Sequence, residues 1–160
     1  MNFYLRNYEE TLPPQTVLYF RRTGSYGPEN LPLMQRMKTW LMQNGLMHGD
    51  TVILAIALDN PQTTAPEHCR YDVCAVTDAV PPSASAHAPA QRMLSGGDYL
   101  TFVIDHTPEA LQAAWDDCLP ETIRLGYQPD STRSMLERYP APLIERHQCE
   151  FCVPISGRIP

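Results

Sequence analysis

The sequence predicts an α+β fold. Duplicated strand-helix-strand-strand units form a curved antiparallel sheet, with helices on one face and a central groove between the halves. Three observations predict it. The hydrophobic pattern runs strand, helix, strand, strand twice along the chain. Trp40 and Trp115 hold equivalent positions on two amphipathic helices. Glu67-x4-Asp72-x-Cys74 is echoed by Glu145-x4-Glu150-x-Cys152, the mark of an internal duplication. With 160 residues, 43% of them apolar, the chain reads as one domain over 1–160. Its pseudo-repeats fall near 3–79 and 93–158, joined by an internal linker at 80–92.

The first repeat opens with VLYFRR, Val17 to Arg22, β-branched and aromatic as strands are, with an earlier strand near Phe3. TGSYG, Thr23 to Gly27, is a turn. Leu33, Met37, Trp40 and Leu41 then recur at helical spacing, and Gly45 follows as a stop. TVILAIALD and CRYDVCAVTD read as the next two strands. VPPSASAHAPAQR, 80–92, is rich in Pro, Ser and Ala and reads as linker. DYLTFVI opens the second repeat. A helix follows from Pro108 with Leu111, Trp115, Cys118 and Leu119 on one face. Pro120 is expected to end or kink it, because proline lacks the N–H and clashes with the preceding turn. SMLERY and ERHQCEFCVPIS supply the last two strands.

Composition excludes several function classes. The net charge is −6 and no basic run reaches five residues, which argues against a nucleic-acid footprint. No apolar leader opens the chain and no stretch approaches the length of a membrane span, so a cytoplasmic, membrane-free protein is expected. Five cysteines at irregular spacing fit a reducing compartment better than a disulfide framework. Cys149 and Cys152 stand three apart, on opposite faces of a strand, and cannot grip one metal. The five histidines are scattered, and no nucleophile elbow, Walker loop or dinucleotide fingerprint is present. No metal and no cofactor is expected.

The strand HQCEFCVPI points Phe151, Val153 and Ile155 one way and Glu150 and Cys152 the other. The apolar set belongs against the helices, so Glu150 is expected to face the groove. The alternative is a solvated strand residue or one half of a salt bridge. Glu137 and Tyr139 share a face of the neighbouring strand, and Tyr19 and Tyr99 are expected to join Glu150 in the same concavity. Tyr26, in the turn, completes the candidate set. A carboxylate in an aromatic-lined groove is costly to bury, and a bound cation offsets that cost, with about 0.5–2 kcal/mol from each ring face.

Five stretches together resemble the GyrI-like small-molecule-binding domains, also found at the C-terminus of AraC-type and multidrug-responsive regulators. They are VLYFRRTGSYG (17–27), the W-x4-G-L of Trp40 to Leu46, DNPQTTAPEHCRYDVC (59–74), GGDYLTF (96–102) and LERY…CEFCVPI (136–155). The resemblance implies the duplicated fold and a groove whose acidic residue pairs with cationic, hydrophobic ligands. Glu150 holds that place in an E-x-x-x-P-I pattern, Tyr139 matches an E-x-Y with Glu137, and Trp115 matches the tryptophan of the second helix. Two departures thin the aromatic lining: Ala57 and Leu58 precede the first D-N-P turn, and Cys118 precedes Leu119-Pro120. The first functional reading is a binding module for amphipathic, cationic small molecules, serving effector sensing or drug sequestration. The partner would be a DNA-binding regulator, fused or separate, with no nucleic-acid contact by the domain itself. One alternative is a hydrolase of electrophilic cyclopropane-type genotoxins, with Glu150 and Tyr139 as catalytic residues. Another is a gyrase-inhibitor-like interaction module.

Overall fold

Two four-strand arrangements of the same plan make up the described chain, residues 3–79 and 87–160 of a computed structural model. The elements in order are β1 (Tyr4–Leu12), β2 (Gln15–Thr23), α1 (Asn30–Gln43), β3 (Val52–Ala57), β4 (Arg70–Val76), β5 (Ala90–Leu94), β6 (Gly97–Asp105), α2 (Pro108–Arg124), β7 (Tyr127–Pro129), β8 (Leu136–Pro140), α3 (Ala141–Ile144) and β9 (Gln148–Arg158). A short 3-10 turn, Pro66–His68, precedes β4.

One unit is Gln15–Leu94, with strands in the order β3-β4-β2-β5, all antiparallel. Leu33, Met37 and Leu41 form the buried stripe of α1, as their spacing predicts. Trp40 lies beside that stripe, half-buried. The other unit joins Ser95–Pro160 to the chain up to Pro14, in the order β8-β9-β6-β1, with β7 pairing farther along β9. Its core is built from Leu100, Phe102, Ile104, Phe151, Val153 and Ile155 of the sheet, against Ala114 and Cys118 of α2. The repeats correspond as β2-α1-β3-β4 and β6-α2-β8-β9. The strand-helix-strand-strand order thus occurs twice in the described chain.

β1 does not stay with the first repeat. It pairs with β6, from Tyr4 opposite Ile104 to Leu12 opposite Gly97. Pro13 and Pro14 follow at once, and two residues without N–H groups, fixed in φ, disfavour a tight hairpin onto β2. The place beside β2 is taken by β5, so the expected linker 80–92 is strand from Ala90 onward. Residues 80–86 of that linker lie outside the described residues.

Pro120 does not end α2, which runs on to Arg124. Pro120 and Asp116 both face solvent, so the carbonyl that proline leaves without a donor can take water instead. Leu119, expected on the buried face, is 42% exposed. The side that packs inward is Ala114, Cys118 and Thr122, spaced by four. Thr107 caps the start, its hydroxyl accepting the Ala110 N–H at 3.1 Å.

Gly96 has φ +68°, and a Cβ there would stand 2.5 Å from the Leu12 carbonyl oxygen and 2.7 Å from Pro13. Only glycine lets the start of β6 approach the end of β1 so closely.

Candidate functional site

In the unit built on Ser95–Pro160, register decides which side chains meet. Glu137 stands opposite Phe151, and Phe151 opposite Phe102, so all three face α2. Arg138 stands opposite Glu150, and Glu150 opposite Val103, so these face the other way. Glu137 and Tyr139 therefore do not converge with Glu150 as expected. A shift of one residue in the pairing of β8 reverses its faces, and one sequence does not fix that parity.

On the helix side, α2 brings Trp115 edge-on to Phe151, ring centres 5.0 Å apart. The Trp115 indole N–H donates to Glu137 Oε1 at 2.9 Å, and the Tyr139 hydroxyl donates to Glu137 Oε2. The Tyr139 ring also lies 5.3 Å from that of His106. Glu137 is buried, and that burial holds its carboxyl above the ordinary carboxylate range, with the two donated hydrogen bonds pulling the other way. No cation forms a salt bridge with it among the described residues. Ala55 and Ala57 hold the places of Glu137 and Tyr139 in the Gln15–Leu94 unit, since Ala55 faces Val73 as Glu137 faces Phe151. The acid and the phenol are thus features of one repeat, whereas a tryptophan stands on the helix of each.

Glu150 is half of a salt bridge, the alternative its strand position left open. It is 4% exposed. Arg138 Nε donates to its Oε1 at 2.9 Å, and the Tyr8 hydroxyl donates to Oε2. Arg138 also binds Glu10, Nη2 to Oε2 at 2.6 Å and Nη1 to Oε1 at 3.0 Å, while Thr101 donates to Glu10 Oε2 at 2.6 Å. Burial opposes the Glu10 charge, but the bonds from Arg138 and Thr101 outweigh it and hold its carboxyl below the usual range. Burial and the bond to Glu150 push the Tyr8 phenol upward. The network closes on itself around one guanidinium.

The remaining candidates lie elsewhere. Tyr99 shares the Glu150 side of the sheet, but the Arg133 guanidinium sits 4.9 Å from its ring centre. Tyr19 belongs to the Gln15–Leu94 unit, with Arg21 and Arg92 guanidiniums 5.1 and 5.2 Å from its ring centre. The Tyr26 hydroxyl is held between the Asp59 N–H at 3.1 Å and the Arg70 carbonyl at 2.7 Å, where it ties the turn to the ends of β3 and β4. Sequence reasoning missed Arg138, Tyr8 and Glu10. Tyr8 and Glu10 stand two apart in YLRNYEETL and so share a face, a signal that was available. Their meeting with Arg138 requires β1 to join β6, which no local pattern states.

All five cysteines are free and buried. Among the described residues no group of three or more His, Cys, Asp or Glu could hold a metal ion. No described helix is long and apolar enough to cross a membrane.

The fold and these positions define a class. Residues 8–156 match the model of the GyrI-like small molecule binding domain, and the chain belongs to that family. A similar chain is the SPbeta prophage-derived candidate transcriptional regulator YosT of Bacillus subtilis strain 168, 38% identical over 149 residues, 92% of this chain and 97% of that one. Among solved structures, EcmrR in a DNA complex superposes with a TM-score of 0.72 at 11% identity, over 96% of this chain and 58% of EcmrR. SAV2435 bound to tetraphenylphosphonium superposes at 0.60 with 14% identity, over 96% and 95% of the two chains. At such identities these structures bear on the fold alone.

Proposed function

We propose that the chain binds an amphipathic cationic small molecule at the Trp115–Glu137–Tyr139 cluster. The single observation that carries this reading is the state of Glu137: buried, held among the described residues by neutral donors, and pushed toward the protonated form. A cation placed against it supplies the missing countercharge, and the Trp115 and Tyr139 rings add cation–π attraction. Glu150 is less suited to this role, because Arg138 and Tyr8 already bond both of its oxygens. The tetraphenylphosphonium held by SAV2435 is a ligand of the expected chemistry on the same fold. Sensing for a transcriptional regulator agrees with the name of YosT.

Titrating tetraphenylphosphonium and a rhodamine dye into wild type, Glu137→Gln and Glu150→Gln tests the assignment. Glu137→Gln keeps the shape and should weaken binding about 10- to 100-fold, the ordinary cost of losing a buried charge partner. Glu150→Gln should change affinity by less than about threefold, as expected of a charge already paired within the protein. The reverse order of effects returns the ligand charge to Glu150.

A second reading, hydrolysis, draws support from the same carboxyl. An acid with a raised pKa beside a phenol suits proton transfer to or from an attacking water. In that case Glu137 replaces Glu150 as the acid–base group, with Tyr139 beside it. Turnover of an electrophilic cyclopropane substrate, abolished by Glu137→Gln, would establish it. Dye binding without turnover would leave the binding role alone.

A further inference from the structure

The Gln15–Leu94 unit carries a charge cluster with the opposite balance. Asp72 occupies the register position equivalent to Glu150, opposite Arg21 on β2 and Ile56 on β3. Its side chain is fully buried. Arg21 donates to it twice, Nε to Oδ1 at 2.7 Å and Nη2 to Oδ2 at 3.0 Å, and Arg92 Nη2 donates to Oδ2 at 2.8 Å. Two guanidiniums therefore share one carboxylate. The equivalent network has one guanidinium shared by Glu10 and Glu150.

Both guanidiniums are held in place by the Tyr19 ring, and both reach solvent, with side-chain exposures of 35% for Arg21 and 26% for Arg92. Neither Nη1 group has a hydrogen-bond partner among the described residues. The Nε–H of Arg92 is buried and likewise has none there. Leaving a donor buried and unmade costs free energy, and a second acceptor brought to this cluster would relieve it. A pair of guanidiniums with one negative charge between them has a net charge of +1, on a chain whose total is −6.

We propose that Arg21, Arg92 and Tyr19 form a second ligand site, for an oxyanion carried by a small molecule: a carboxylate or a phosphate ester. The guanidinium fork matches either group, and charge-assisted bonds of this kind are the stronger ones. Asp72 acts as the anchor that keeps the two forks side by side, and Tyr19 orients their planes. This site is independent of Glu137 and takes the opposite charge.

Arginine side-chain N–H resonances report the test directly. Benzoate and methyl phosphate are titrated into the full chain, with chloride as the control anion. At least one probe should shift the Arg21 and Arg92 Nε–H signals saturably, and the tighter probe identifies the preferred oxyanion. Arg92→Gln should weaken that probe about tenfold or more, the scale of one lost charge-assisted bond. Its backbone spectrum should otherwise persist, since Arg21 still holds Asp72. Glu137→Gln should leave the anion titration unchanged and alter only the cation titration. Shifts no greater than those of the exposed Arg124, equal response to chloride, or unchanged affinity in Arg92→Gln would each overturn the site.

Discussion

Glu137 and Glu150 are both buried glutamates on adjacent strands, and their partners give them different chemistry. Glu150 and Glu10 share the Arg138 guanidinium, which bonds carboxylate oxygens of both. Removing one partner of such a network leaves buried charge uncompensated, at a cost of about 3–5 kcal/mol. Arg138→Met should lose stability on that scale in urea unfolding at pH 7. The Glu10 carboxyl lies below its ordinary value, so its contribution is present above that value and lost as pH falls through the folded pKa. The gap between Arg138→Met and wild type should accordingly narrow in acid. Glu137 runs the other way. Its folded pKa is raised, so its contribution is full below the ordinary carboxylate value of 4.5 and is lost as pH rises through the folded value. Glu137→Gln should therefore be more stable than wild type at pH 8, with a smaller difference at pH 4. Equal differences at both pH values would mean that the carboxyl is not held in its acid form.

At the scale of elements, β2, α1, β3, β4, β6, α2, β8 and β9 were legible because each carries its own period or apolar run. Three strands were not fully so: β1 was expected near Phe3 but not its partner, and β5 and the short β7 were not expected at all. β1 lies next to β2 in sequence but pairs with β6, a long-range choice that local alternation does not encode. β5 was hidden because Ala90 to Arg92 sit at the end of a Pro- and Ser-rich stretch, and composition outvoted the alternation of QRML. Pro120 misled for a simpler reason: it and Asp116, whose carbonyl it leaves without a donor, are both exposed, so water can take the donor's place. The site was legible in part. The two-residue spacing of Glu137 and Tyr139 put them on one face, where the structure also brings Trp115, but that face was assigned to Glu150 because strand parity depends on register. Gly96 tests the β1–β6 arrangement. Gly96→Ala must place a Cβ within 2.5 Å of the Leu12 carbonyl in a left-handed conformation. It should cost about 2 kcal/mol or more. A thermal midpoint equal to that of wild type would show that the end of β1 does not approach β6 so closely.

Across the whole molecule, one strand-helix-strand-strand plan occurs twice, and the two units differ in charge. One repeat has Glu137 and Tyr139 where the other has two alanines. The unit built on Ser95–Pro160 has a guanidinium between two carboxylates, the Gln15–Leu94 unit a carboxylate between two guanidiniums. Backbone topology survived because core periodicity at Leu33, Met37 and Leu41, or Ala114, Cys118 and Thr122, needs only apolar or small residues. The polar positions face no such constraint and became specialised. Membership of the GyrI-like small-molecule-binding family fits a fold that holds its core while its polar positions differ between units.

The central claim is that a bound cation displaces the proton of Glu137. Calorimetric titration of tetraphenylphosphonium in buffers of different ionisation heat measures the protons released on binding. At pH values above the ordinary carboxylate value of 4.5 and below the raised folded value, wild type should release protons on binding, and Glu137→Gln should release none. Equal proton release by the two proteins, or tight binding with no release at any pH in that range, would contradict the account.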